Sequence, residues 1–236
     1  MEVNLSSPNP ALESVFADPN QIITLDANFL IPPDRSRLTR RGFDFLKFQH
    51  IWLDPIFKAF PNVAIHEAVY DELVLPSVRS YAQAMLESTP PHLMIHRDSN
   101  LKETERVLRD SVEEKIYPFT KYDPRLDNRD DRGEVKSLAY MAVKGLLYFA
   151  AHDSNAIQLV EKAEGLSTGL DNIRAIKMYE LIFYLCVMRL SERQSLKLLY
   201  KYQYYLTNNE KRSNPEWGQF LTRMESMYHV SPEDKE

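Results

Sequence analysis

Apolar positions along this chain fall into two rhythms. The stretch from Ile22 to Ile31 is nearly unbroken in its hydrophobicity and is interrupted only by Thr24, Asp26 and Asn28. A run without polar alternation suits a strand buried on both faces, as in a parallel sheet covered by helices. Two further runs have the same character: Val63-Ala64-Ile65-His66, introduced by Pro61-Asn62, and Leu146 to Ala151, which stops at His152-Asp153. Between them the spacing is helical. Phe43 to Phe57 is a helical region, Ala68 to Leu75 a short helix ending near Pro76, and residues 77–117 hold two more helical patterns. Helices are also expected over Gly133 to Val143, Asn155 to Ala163, almost continuously from about Asn172 to Asn209, and over Gly218 to Tyr228. Strands alternating with helices predict an α/β fold of three layers, helix, central parallel sheet and helix.

The same pattern suggests an organisation. Residues 1–20, with Pro8, Pro10 and Pro19, read as an N-terminal arm. Residues 21–175 form the α/β domain, with a helical insertion at about 77–130, and residues 176–236 form a C-terminal helical extension packed on the same domain. The polar loop from Tyr117 to Asp131 is long enough to carry function.

Composition narrows the chemistry. No apolar stretch approaches the ~20 residues of a membrane helix, and the first 20 residues lack the basic-then-apolar order of a secretory signal. Cys186 is the single cysteine, so no internal disulfide forms, which fits a reducing cytoplasm. The six histidines have no ligand spacing, which argues against zinc, and six glycines without a phosphate-binding loop argue against a nucleotide-binding enzyme. A net charge of -5 excludes a wholly basic coat. It leaves room for a local basic run, Arg35, Arg37, Arg40 and Arg41, suited to substrate phosphates. Lys197, Tyr200, Lys201, Tyr204 and Tyr205 mix cations with aromatics on a late helix. Core packing or a homodimer contact is their plainer reading, and stacking of single-stranded RNA the other.

Four carboxylates stand out. Asp26 ends the first apolar run, at the sheet edge where open α/β folds place their chemistry, and a lone Asp among Leu, Phe and Ile needs a partner. Asp153 ends the run before it in the same way. Glu134 shares a helix face with Leu138, Met141 and Ala142, and Glu72 follows Val69 in a helix after a strand. Each has a bland alternative: Asp26 and Asp153 as helix caps, Glu134 in a capping box with Asp131, Glu72 as a solvated side chain. Glu67 competes with Glu72. Taken together, the two Asp and two Glu converge on one sheet edge, where they need a counter-charge that Mg²⁺ or Mn²⁺ supplies. Such a site activates water for attack on a phosphodiester.

The segments LDANFLI, VAIHEAVYDELV, DRGEVKSLAYMAVKG and LLYFAAHDSNAI, in this order, resemble the four acidic motifs of PIN domains. The resemblance covers roughly residues 20–175. It implies metal ligation by Asp26, Glu72, Glu134 and Asp153, shaping of the first turn by Asn28, and Mg²⁺- or Mn²⁺-dependent cleavage of single-stranded RNA. The family often supplies the toxin of a toxin–antitoxin pair, so an antitoxin or other protein partner is also implied. Ala151 departs from the Thr or Ser frequent two positions before the last Asp, and the chain is longer than a minimal toxin. Two rival readings share the fold or its edge: a catalytically silent binding module, and a metal-dependent DNA nuclease or phosphatase.

Overall fold

The computed structural model describes residues 2–39, 43–152 and 154–230. In chain order the elements are α1 (Pro10–Ala17), β1 (Ile23–Leu25), α2 (Phe45–Phe48), which continues through a π-helical stretch into α3 (Asp54–Ala59), β2 (Val63–His66), α4 (Glu67–Glu72), α5 (Pro76–Glu87), β3 (Leu93–His96) and α6 (Glu103–Ile116). They continue as α7 (Arg132–Lys144), β4 (Tyr148–Ala151), α8 (Ser154–Glu161), α9 (Ala163–Leu166), β5 (Arg174–Lys177), α10 (Met178–Val187), α11 (Arg193–Tyr204), α12 (Asn208–Ser213) and α13 (Trp217–Tyr228). Among the described residues no helix is long and apolar enough to cross a membrane.

The five strands form one all-parallel sheet in the order β3-β2-β1-β4-β5, flanked by helices as a three-layer α/β/α fold. Ile23 pairs with Val63 on one side and Tyr148 on the other, so β1 is central. The chain first moves outward from β1 through β2 to β3, then returns to place β4 on the opposite side of β1. With right-handed crossovers, these two directions of travel put connecting helices on opposite faces of the sheet. The reversal between β1 and β4 is the switch point whose carboxyl edge opens into a crevice. β1, β2 and β4 are buried at every position, which explains their apolar composition.

The sheet lies in a compact unit formed by residues 20–31 and 62–176, and a second, helical unit comprises residues 1–19, 32–61 and 177–236. In the sheet unit, α7 buries Val135, Leu138, Ala139 and Met141 at helical spacing and stops at Gly145, whose φ of 64° suits a residue without Cβ. In the helical unit all ten residues of α10 are buried, and rings of Tyr200, Trp217 and Phe220 pack together. Tyr200 and Tyr204 are therefore core residues, and burial pushes the Cys186 thiol up from its ordinary value.

The structure corrects several expected elements. The 77–130 stretch is not wholly helical, because Leu93–His96 forms edge strand β3 between α5 and α6. The helix expected to run from about Asn172 is preceded by β5, Arg174–Lys177. β5 is bounded by Arg174 and Lys177 and carries no apolar run, whereas β3 has one, Leu93-Met94-Ile95, as long as that of β2, and it is absorbed into the helical pattern of its surroundings. The 1–20 stretch contains α1, capped by Asn9 and buried through Ala11, Leu12 and Val15.

Candidate functional site

Asp26 is the first residue beyond β1. Its N–H continues the ladder to Ala150 O at 2.9 Å, and its side chain turns back to cap the 3-10 turn Ala27–Phe29. Asn28 Nδ2 donates to Asp26 Oδ2 at 2.9 Å. The capping expectation thus holds for Oδ2, but it leaves the other oxygen unexplained: Asp26 is 0% exposed and Oδ1 has no hydrogen-bond partner. Burial, followed by weaker repulsion from Glu72, pushes the Asp26 carboxyl up from 3.8 to about 7 against the hydrogen bonds of Ala27 and Asn28. An unpartnered ionised oxygen in such a place is costly.

Glu72 is the last residue of α4, the helix that follows β2 directly. Leu73 ends this helix, and that leaves Glu72 facing the start of α7. There Oε1 accepts from the backbone N–H of Gly133 at 2.8 Å. This N–H is one of the orphan donors of the helix N-terminus, so Glu72 caps α7 from another element. Burial, then the charge of Glu134, pushes the Glu72 carboxyl up to about 7. Glu134 lies in the first turn of α7 and is half-buried. The capping box expected between Asp131 and Glu134 is not built on Asp131: that residue is left-handed at φ 55°, its side chain makes no cap, and its Oδ2 accepts from Lys121 N instead. The charge of Glu72 thus raises Asp26, and the charge of Glu134 raises Glu72. Asp153 lies outside the described residues.

Gly133 makes this arrangement sterically specific. A Cβ built there would lie 2.6 Å from Glu72 Oε1 and 2.9 Å from Oε2. Gly→Ala inside a helix ordinarily gains up to about 1 kcal/mol. Here the atoms met are the end of the Glu72 side chain, so Gly133→Ala is expected to turn that carboxylate away from Gly133 N and to forfeit the gain. Urea unfolding measures the sign, and a stabilised variant would show that Glu72 is not held as described.

Cations meet this edge from an unexpected segment. Glu72, Asp71, Asp127, Arg129 and Arg132 line one cavity of about 390 Å³. Arg132 pairs with Asp127 at 3.0 Å and Asp71 at 3.7 Å, whereas Arg129 is exposed and forms no ion pair among the described residues. Of the basic run expected to bind substrate, Arg35 is engaged by Glu210 and donates to the carbonyls of Tyr202 and Gln203 within the helical unit. Arg37 is exposed in that unit, and Arg40 and Arg41 lie outside the described residues. Asn28 is a support for Asp26 by its hydrogen bond. The only sequence hint of Arg129 was its place in a long polar loop.

A second polar cluster borders the sheet at β2 and β3. His66, 0% exposed, accepts from Ala68 N through Nδ1, leaving Nε2 to face Asp98 Oδ1 at 3.3 Å. Glu67 Oε1 accepts from Asp98 N at 2.8 Å, which assigns Glu67 to this cluster. Ligand atoms of His66, Glu67 and Asp98 come within 4.8 Å of one another. Arg109 lies 3.5 Å from Asp98, so the cluster already contains its counter-charge. Burial works against the charge on Asp98, yet hydrogen bonding from His66 and the nearby Arg109 hold its carboxyl below the usual range. On the same sheet face, His96 contacts Thr24 Oγ1 at 3.1 Å and stacks on Tyr140, and burial, with His66 nearby, lowers it to about 4. These are hydrogen-bonded and ion-paired side chains of a polar core.

Comparison with protein-family models, with curated proteins and with solved structures finds no match to this chain.

Proposed function

We propose that this chain is a PIN-type, Mg²⁺- or Mn²⁺-dependent endoribonuclease acting on single-stranded RNA. The observation that carries the reading is Asp26 Oδ1, a wholly buried carboxylate oxygen without a hydrogen-bond partner, at the carboxyl end of the central strand. Its companions Glu72 and Glu134 add negative charge, and no cation pairs with Asp26 among the described residues. A set of carboxylate oxygens with surplus charge fits a hard divalent ion better than zinc or a soft metal.

Asp26, Glu72 and Glu134, together with Asp153 after β4, would hold the ion. When bound, it supplies Lewis-acid stabilisation of the charge that develops on the phosphate. The chain's own residues do the rest. Asn28 fixes the rotamer of Asp26 through Oδ2 and leaves Oδ1 available. Gly133 N fixes Glu72, so that carboxylate is oriented before any ligand arrives. Arg129, in the cavity that Glu72 lines, is suited to neutralise a phosphate flanking the bond to be cut, while Arg132 is held by Asp127 and Asp71.

A purified chain is expected to cleave single-stranded RNA internally with Mg²⁺ or Mn²⁺ and to stop in EDTA. A chain that binds the ion and RNA without cleaving would be a silent binding module. Cleavage confined to DNA would make it a DNA nuclease, and hydrolysis confined to phosphomonoesters would make it a phosphatase.

A further inference from the structure

The helical unit contains a cavity of about 460 Å³, within the range of small-ligand sites. One wall is a single face of α11 and the residues after it: Leu198, Lys201, Tyr202 and Tyr205 follow at helical spacing. Phe43 and Lys47 close the opposite wall, with the Phe43 ring 5.1 Å from that of Tyr202, and Lys211 contributes from α12. The lining is therefore apolar and aromatic, with three ammonium groups and no carboxylate among the described residues.

None of these three charges, on Lys47, Lys201 and Lys211, is met by a carboxylate among the described residues, and Lys47 Nζ lies over the Phe43 ring, 5.2 Å from its centroid. Glu210, adjacent to Lys211, is taken by Arg35 and by the N–H groups of Leu206 and Thr207. Tyr205 is half-buried, leaving ring surface at the cavity, unlike the enclosed Tyr200 and Tyr204. Aromatic surface next to unpaired lysines complements a ligand with a flat body and an anionic group.

We propose that this cavity binds a nucleotide, with its base against Tyr205 and the Phe43–Tyr202 pair and its phosphate among Lys47, Lys201 and Lys211. Both a free mononucleotide and one unit of a single-stranded RNA carry this chemistry. The proposal does not depend on the carboxylate site, because binding here needs neither metal nor cleavage.

The test is fluorescence anisotropy with the full chain in EDTA, using a short labelled oligouridylate, with unlabelled adenosine 5′-monophosphate and decanoate as competitors. The free mononucleotide is also titrated directly by calorimetry. Binding of at least one nucleotide probe is expected, weakened about tenfold or more by Tyr205→Ala and by the pair Lys201→Ala and Lys211→Ala, and retained by Tyr205→Phe. Competition by the monophosphate identifies a site open to free nucleotides, and binding of the oligonucleotide alone identifies a strand-binding site. Lys47→Glu, on a different element, keeps the test available if an α11 variant melts early. No binding of either nucleotide, binding indifferent to these substitutions, or decanoate binding in place of nucleotides would overturn the assignment. Because binding is read in EDTA, metal-dependent RNA cleavage by the wild type leaves the carboxylate site standing even where no nucleotide binding is found here.

Discussion

Glu134→Gln and Asp26→Asn are each expected to lower metal-dependent cleavage of single-stranded RNA by at least ~100-fold, the effect of removing one preorganised electrostatic stabiliser. Both substitutions keep size and remove charge. The strongest competing role for Glu134 was a capping box, and Gln serves a capping box as well as Glu does. In the structure that box is not built on Asp131, whose carboxylate goes to Lys121 N, while Gly133 N is capped by Glu72. A charge-specific loss of rate with an unchanged melting curve for Glu134→Gln therefore isolates the site role. Wild-type cleavage by both variants, from preparations free of contaminating nuclease, would remove these residues from the chemistry.

The second large effect is a stabilisation. Without metal, Asp26→Asn is expected to raise stability at pH 8 by roughly 2–4 kcal/mol, since each unit of pKa displacement corresponds to about 1.4 kcal/mol. Asn keeps an oxygen for the Asn28 bond and carries no buried charge. Burial pushes the Asp26 carboxyl from 3.8 to about 7, so between about pH 4 and 7 the folded chain retains a proton that the unfolded chain has released. The unfolded state then binds fewer protons, and the contribution of Asp26 to stability falls as pH rises through that window. It is fully present below about pH 4 and fully lost above about pH 7. Asp98 and Asp127, held below their ordinary values, change stability in the opposite sense on acidification, so the informative quantity is the difference between variant and wild type. That difference should be at least ~4 °C in Tm at pH 8 and should vanish towards pH 4. A variant less stable than wild type at pH 8 would mean that Asp26 already has a counter-charge.

The parts of this molecule legible in the sequence were those whose burial leaves a mark on composition. β1, β2 and β4 are buried throughout, and their apolar runs announced them as strands. Asp26 was conspicuous for the same reason, as a carboxylate where only apolar residues belong, and Glu134 through the face it shares with Leu138 and Met141. β5, with Arg174 and Lys177 at its ends, left no such mark, while the short apolar run Leu93-Met94-Ile95 of β3 lay between helical patterns and was read with them. Glu72 was legible as a candidate but not in its geometry. Its anchor, Gly133 N, is 61 residues away in the chain and follows from the packing of α4 against α7. Arg129 was hidden for a related reason, since one arginine in a polar loop acquires meaning only through the cavity it shares with Glu72. Tyr200 and Tyr204, placed between stacking and core, belong to the core because α10 and α13 enclose them.

Whether the unpartnered oxygen of Asp26 belongs to a divalent cation site is decided by Mn²⁺ titration of wild type and Asp26→Asn, followed by calorimetry and by melting at pH 7.5. Wild type is expected to bind Mn²⁺ and to gain about 2.7 kcal/mol when the free ion is at a hundred times its Kd. Asp26→Asn should lose both the binding heat and the gain. Equal affinity and equal stabilisation in the variant would place Asp26 outside such a site.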